Sequence, residues 1–277
     1  MTLTYKPAVD LSLPDLAALF THAFTGYIGG TVNMTAPLLA GMIAQNGINL
    51  NLSTLAYRDE TPVGFGLIAR QGWTSRLAAM GIAPEAQGQQ VGYHLMTDLI
   101  EQARLRGDRH IELEVFEQNV RAVKLYEKTG FRILRRLIGC TLSQPQGDPS
   151  PDLTEIDIFD AARLIMAHSP ADLAWQVSAS HLIRLGSPDR AYRLGEAVAI
   201  ISSPANETVA IRAINVPPDH RQRGYGSRLL SALWGAHPAK HWIIQPICPE
   251  EFLGFFEKNG FTRMELNQYQ MRLDLAT

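Results

Sequence analysis

The sequence predicts a soluble protein made of two domains of one α/β or α+β fold, and three observations carry that reading. The chain has 277 residues, about twice a typical domain. Passages in its first half recur in its second, with Pro84 answering to Pro218 and Gly130 to Gly260, offsets close to half the chain. Midway between them, Ser143-Gln144-Pro145-Gln146-Gly147-Asp148-Pro149-Ser150-Pro151-Asp152 concentrates residues that break helix and strand, as a linker does. Contiguous domains over 1–143 and 153–277 are the expectation.

Each element has its own signal. Leu16, Leu19, Phe20 and Phe24 recur on one side of a helix over Asp15–Phe24. Leu52–Tyr57 and Pro62–Ala69 form a hairpin around Arg58-Asp59-Glu60-Thr61. Leu77–Ile82 is a third strand. A helix over Gly92–Arg104 follows, with Leu95, Met96, Leu99 and Ile100 as its apolar stripe. His110–Phe116 alternates, setting Ile111, Leu113 and Val115 on one face and Glu112 and Glu114 on the other. A short helix over Asn119–Lys128, closed by Gly130, and a strand over Ile133–Leu142 finish the half. In the second half Ala197–Ser203 and Thr208–Val216 form a hairpin around Pro204-Ala205-Asn206-Glu207. The helix-strand-helix order then recurs, with Leu229, Leu230, Leu233 and Trp234 as the helical stripe.

Composition narrows the function classes. The chain is 46% hydrophobic and 19% charged, too apolar for a disordered protein. Lys and Arg number 25 against 27 Asp and Glu, so no global basic field attracts nucleic acid or an anionic membrane. No apolar run approaches the ~20 residues of a membrane helix. Met1-Thr2-Leu3-Thr4-Tyr5-Lys6-Pro7 lacks the start of a secretory signal. Cys140 and Cys248 are the only cysteines, which excludes a disulfide framework and fits a reducing cytoplasm. His237 and His241 are separated by a helix-breaking Pro238, so no metal site is expected there.

Chemistry concentrates in two loops. A strand running through a glycine turn into a helix leaves backbone N–H groups unpaired at a positive helix end, which suits a pyrophosphate. Gly224-Tyr225-Gly226 lacks the third glycine of a dinucleotide fingerprint, and no G-K-[ST] follows for a P-loop kinase. Both nucleotide readings are poor.

The fuller pattern is more specific. Val216-x-Pro218-x-x-Arg221-x-x-Gly224-x-Gly226 leads into an amphipathic helix and an alternating strand. An aromatic-Glu-Lys-x-Gly-Phe closes each half: Tyr126-Glu127-Lys128-Thr129-Gly130-Phe131 and Phe256-Glu257-Lys258-Asn259-Gly260-Phe261. This order resembles the GNAT acetyltransferase superfamily, most strongly over 63–131 and 208–261. The resemblance implies two tandem domains, each a mixed, mainly antiparallel sheet flanked by helices. It also implies acetyl transfer from acetyl-CoA to a primary amine of a small molecule or peptide, without a metal. The acceptor's identity, the general base and the oligomeric state are not legible. By the same resemblance, CoA contacts fall on Met80, Ile82, Gln87, Gly88, Gln89, Gln90, Val91, Gly92 and Asn119. A second set falls on Ile214, Val216, Arg221, Gln222, Arg223, Gly224, Tyr225 and Gly226. Tyr126 occupies the position of the acid that protonates the leaving thiolate.

The halves depart from the pattern in complementary ways. Gln87 replaces the loop arginine and Gln90 stands where the first G-x-G glycine belongs, so its side chain faces the pyrophosphate path. The second half keeps that glycine but has Phe256, which carries no proton, at the tyrosine position. The first half is favoured as catalytic because it retains Tyr126 and Asn119. Catalysis in the second half, or a non-catalytic acyl-CoA-binding scaffold, are the rivals. Plainer readings stand beside these: Asn119 as a helix cap, Tyr126 as a packed aromatic, Arg221 and Arg223 as solvated charges, Glu112 and Glu114 as a wet strand face.

Overall fold

Chain packing divides the protein into Met1–Arg135 together with Tyr269–Thr277, and Arg136–Gln268. The computed structural model describes residues 3–170, 172–238 and 240–275; Met1 and Thr2, which figured in the sequence reading, lie outside them.

The first unit runs β1 (Leu3–Pro7), α1 (Leu13–Ala23), α2 (Ala36–Asn46), β2 (Thr54–Arg58), β3 (Thr61–Gln71), β4 (Thr74–Ile82), α3 (Val91–Leu105), β5 (His110–Phe116) and α4 (Val120–Lys128). Its strands pair in sequence order, antiparallel except for parallel β4 and β5. Ser12 caps α1 by accepting from the Asp15 N–H, and Thr35 caps α2 by accepting from Leu38. The predicted stripe of α3 packs onto the sheet, with Leu95, Met96 and Leu99 at most 1% exposed. Each such side chain contributes about 1.5–3 kcal/mol. Gly66 makes this close approach possible, since a Cβ there would lie 2.5 Å from Leu99 Cδ1.

The second unit contains β6 (Arg132–Ser143) from Arg136 on, β7 (Thr154–Ile156), α5 (Ile158–Met166), α6 (Ala179–Leu182), β8 (Arg190–Leu194) and β9 (Ala197–Ile201). It continues with β10 (Thr208–Asn215), α7 (Tyr225–Ala236), β11 (His241–Pro249), α8 (Leu253–Lys258) and β12 (Thr262–Arg263). The sheet order is β7-β8-β9-β10-β11-β6, again antiparallel except for one parallel pair, β10 and β11. Both units therefore have the mixed, mainly antiparallel sheet the sequence predicts.

The final strand, β13 (Gln268–Asp274), lies beside β5 and finishes the first unit. Met271, Leu273 and Leu275 enter the same core as Leu95 and Ile111. Arg272 binds Glu112 at 2.6 Å, and the Leu275 N–H donates to Arg109 at 2.8 Å.

Two expectations are corrected here. The contiguous division at 1–143 and 153–277 does not follow the packing, because the chain changes unit within β6 and returns for β13. The Ser143–Asp152 stretch is also no free linker. The Asp148 N–H donates to Ser231 Oγ at 3.1 Å, and a Cβ on Gly147 would meet Ser231 O and Trp234 on α7.

Candidate active site

Both units open a wedge in the same place. β4 and β5 pair from Thr74–His110 to Leu77–Leu113 and then separate, although β4 continues to Ile82 and β5 to Phe116. β10 and β11 pair from Thr208–His241 to Ala210–Ile243 and likewise separate. A register shift sits at the point of parting in each: Leu77 and Ala79 oppose consecutive residues of β3, and Ile211 and Ala213 oppose consecutive residues of β9. The extra residue bends the strand away from its parallel neighbour. The Ala83 N–H donates to Val63 on β3. By alternation along a strand, the N–H groups of Ile82 and Met80 turn instead toward the wedge. Ile214 and Val216 stand at the matching positions of the second unit.

The loops at the wedge mouths share one backbone conformation. Gly88 (φ 77°) and Gln90 (φ 62°) are left-handed in the first, Gln222 (φ 60°) and Gly224 (φ 80°) in the second. Glycine and glutamine exchange places, and Gln90 adopts the conformation its glycine counterpart takes. Among the described residues no acceptor meets the backbone N–H groups from Gly88 to Tyr93, nor those from Gln222 to Ser227. Val91 packs into the α3 core. Gly92 lies against Leu125, Ile82 and Met80, where a Cβ would be 3.4–3.6 Å away. Gly226 is tighter, with Phe255 3.0 Å from that position.

Side chains around the loops differ from expectation. The Gln87 amide donates to Ile82 O and the Arg221 Nε to Val216 O, both at 3.0 Å. These side chains latch each loop to its strand and occupy a carbonyl that faces the wedge. Gln89 donates to Glu85 O and accepts from Arg58. Arg223 is exposed, while Tyr225 carries the Arg228 guanidinium 4.5 Å above its ring. Sequence reasoning missed Arg121. Its guanidinium donates to Gln87 at 3.1 Å and stands over Gly88, supplying the cation the first loop lacks. Its position two residues after Asn119 was the available signal.

Tyr126 is 8% exposed and packs 5.8 Å from Phe131. Its hydroxyl has no hydrogen bond among the described residues. Burial, with a smaller contribution from Tyr27, raises its pKa above the ordinary 10. Phe256 holds the same place in the second unit, 5.6 Å from Phe261. Asn119 is a cap, its Oδ1 accepting from the Ala122 N–H at 3.2 Å. Asn119→Ala is expected to cost about 1 kcal/mol in chemical denaturation, and Asn119→Ser to restore most of it.

The wet-face reading of Glu112 and Glu114 is corrected. Glu112 is bound by Arg272, and Glu114 by Arg76 at 2.7 Å with both side chains at most 5% exposed. Neither is free to accept a proton from an amine. On this side of the wedge stand Phe24, Tyr27 and Phe116, in ring contact at 4.8 and 5.8 Å.

In the second unit the wedge opens into a cavity of about 570 Å³ lined by the Arg221–Ser227 loop, both strands and α8. His237 hydrogen-bonds Tyr192 and His241 pairs with Ser143, so the two histidines serve separate contacts.

Comparison with known proteins adds the following. Residues 26–131 match the family model described as the acetyltransferase (GNAT) family. A mycothiol acetyltransferase of Brachybacterium faecium is 35% identical over 108 residues, 37% of this chain and 33% of that protein. The matched part is thus about a third of that curated relative. Among solved structures, a GCN5-related N-acetyltransferase from Sphaerobacter thermophilus superposes with a TM-score of 0.68 at 12% identity, over 98% of this chain and 95% of that one. A tandem GNAT protein from the clavulanic acid biosynthesis pathway gives 0.65 at 14%, over 100% and 99%.

Proposed function

We propose that the chain is an acetyltransferase of the GNAT family, whose model its residues 26–131 match, and that its first unit transfers the acetyl group of acetyl-CoA to a primary amine of a small molecule or peptide. The observation that carries the choice of unit is Tyr126. It offers a protonated hydroxyl without a competing hydrogen bond among the described residues, where Phe256 offers none.

The steps follow from the chain's own groups. The unpaired N–H groups from Gly88 to Tyr93, with Arg121 above them, hold the diphosphate of CoA. The N–H groups of Met80 and Ile82 face the thioester oxygen and stabilise the oxyanion, where one donor is worth roughly 10²–10³ in kcat. The amine attacks as the neutral base. An alkyl ammonium near pKa ~10.4 first gives its proton to solvent, since Glu112 and Glu114 are held in ion pairs. The C–N bond forms first and leaves the oxyanion on the former thioester carbon. As that intermediate collapses the C–S bond breaks, the departing thiolate takes the Tyr126 proton, and the proton shed by the nitrogen returns to Tyr126 through solvent. Phe24, Tyr27 and Phe116 wall the acceptor's side of the wedge.

A second reading puts the reaction in the second unit, favoured by its cavity and by Gly224. Calorimetric titration with acetyl-CoA and thiol release against an amine panel separate the two. Gly92→Val pushes branched methyls toward Leu125 and Ile82, and should weaken acetyl-CoA about tenfold, or 1.4 kcal/mol, with acetylation falling alongside. Gly224→Val, strained at its positive φ, should leave most acetylation in place. The reverse pattern would move catalysis to the second unit.

A further inference from the structure

We propose that α2 carries a docking face for a second copy of this chain, with two α2 helices crossing at a two-fold axis, a role independent of the acetyl-transfer reading.

The sequence from Ala23 to Tyr57 holds no Asp, Glu, Lys, Arg or His in 35 residues, where a chain that is 19% charged would place about seven. Part of that stretch is buried and needs no charge, as in β2. The α2 helix is different, for Leu39 is its one buried residue. It is held to the first unit from one side, through Leu39 and through Asn46, which accepts from Arg76 at 3.2 Å. Just ahead of it, the Met34 N–H donates to Thr21 at 2.9 Å. The opposite side presents Pro37, Leu38, Ala40, Gly41 and Ala44 to solvent, with Leu38 61% exposed. Helical spacing puts Pro37, Gly41 and Ala44 at the centre of that face. The outer face of a surface helix ordinarily carries charged or polar residues. An apolar one left open to water marks a place where something docks.

Charge selects the occupant. In an isologous interface a residue at the axis meets its own counterpart, so any charge there faces the same charge. A face that serves a different protein can use charge to steer and select it. A face that serves its own copy must do without charge at its centre, and α2 with the uncharged chain on both sides of it does so. A lipid surface is the poorer fit, because helices that lie on membranes are rich in Lys and Arg on their polar face, and α2 has neither. Gly41 agrees with a second copy. It sits mid-helix, where glycine weakens a helix relative to alanine, yet a Cβ there would meet nothing within 4 Å. No neighbour inside the molecule asks for that glycine. A helix crossing closely from outside does.

Sedimentation equilibrium of the full chain at micromolar concentrations is expected to show a monomer–dimer equilibrium. Gly41→Glu has room for its side chain and should raise the dissociation constant about 100-fold, as should Gly41→Lys, since each sets like charges across the axis. Mixed in equal amounts, the two variants should pair again, because opposite charges then meet. Leu38→Glu gives an independent disruption, and circular dichroism shows that each variant is folded. A wild type that stays monomeric would overturn the proposal. So would a dimer that Gly41→Glu leaves intact, or folded Gly41→Glu and Gly41→Lys proteins that do not pair. Wild-type binding to phosphatidylcholine vesicles that Gly41→Glu abolishes, with a monomer in solution, would give the face to lipid and overturn it as well.

Discussion

Tyr126→Phe is expected to lower kcat for acetyl transfer about 100-fold, the low end for loss of a general acid, while acetyl-CoA binds almost as before. The substitution removes one hydroxyl from a ring that is 8% exposed and packed against Phe131, so the ring contacts survive. What is lost is the proton for the thiolate. Because burial raises the Tyr126 pKa above 10, the acid form persists through neutral and mildly alkaline solution. The wild-type rate should therefore show no decline from this group below about pH 10, and the variant should keep the same profile at a lower level. Steady-state kinetics across pH with a saturating amine measure both. Wild-type kcat in a folded Tyr126→Phe protein would remove the tyrosine from the mechanism.

The largest stability effect is expected from Glu114→Ala. Arg76 and Glu114 sit where β4 and β5 part, 5% and 3% exposed, with Arg76 also donating to Asn46 on α2 at 3.2 Å. Deleting the carboxylate leaves the guanidinium buried without its counter-charge, beside the neutral Asn46 amide, a change that costs about 3–5 kcal/mol. That is a large share of the 5–15 kcal/mol by which a typical domain is stable. Replacing both partners with apolar residues, Arg76→Met with Glu114→Leu, should recover most of the loss, since no charge then remains unpaired. Denaturant titration of the two variants checks the sign and the order. Equal stability of Glu114→Ala and wild type would show that the pair does not hold the wedge.

What could be read from the sequence follows from how local each signal is. The α3 helix and the β5 strand were legible because their apolar periods are complete within one element. The α5 helix was not: Phe159, Leu164 and Met166 lie on its exposed side and blur the stripe of Ala161, Ala162 and Ile165. β7 has three residues, too few for any period. Alternation placed Glu112 and Glu114 on one face, but whether that face is wet depends on Arg272 and Arg76, which the chain delivers from elsewhere. The wedge loops divide in the same way. Their glycines announced a turn, yet nothing in a glutamine announces a left-handed backbone, and the positive φ of Gln90 and Gln222 became visible only in the fold. Tyr126 was found by its motif. Its missing hydrogen bond was not.

The return of β13 to the first unit bears on how this protein is made. When the ribosome has released Arg135, the sheet that includes Tyr126's unit is one strand short, with the outer edge of β5 bare and Glu112 lacking its arginine. The whole of Arg136–Gln268 must be synthesised before that strand exists, on the order of ten seconds at about 5–20 residues per second. During that interval the open edge of β5 is a template for any passing strand. The half that begins first is thus finished last. A nascent chain released before Gln268 would carry every residue of the proposed acetyl-transfer site and still lack the strand that completes its sheet, so synthesis through β13 becomes a condition of a complete first unit.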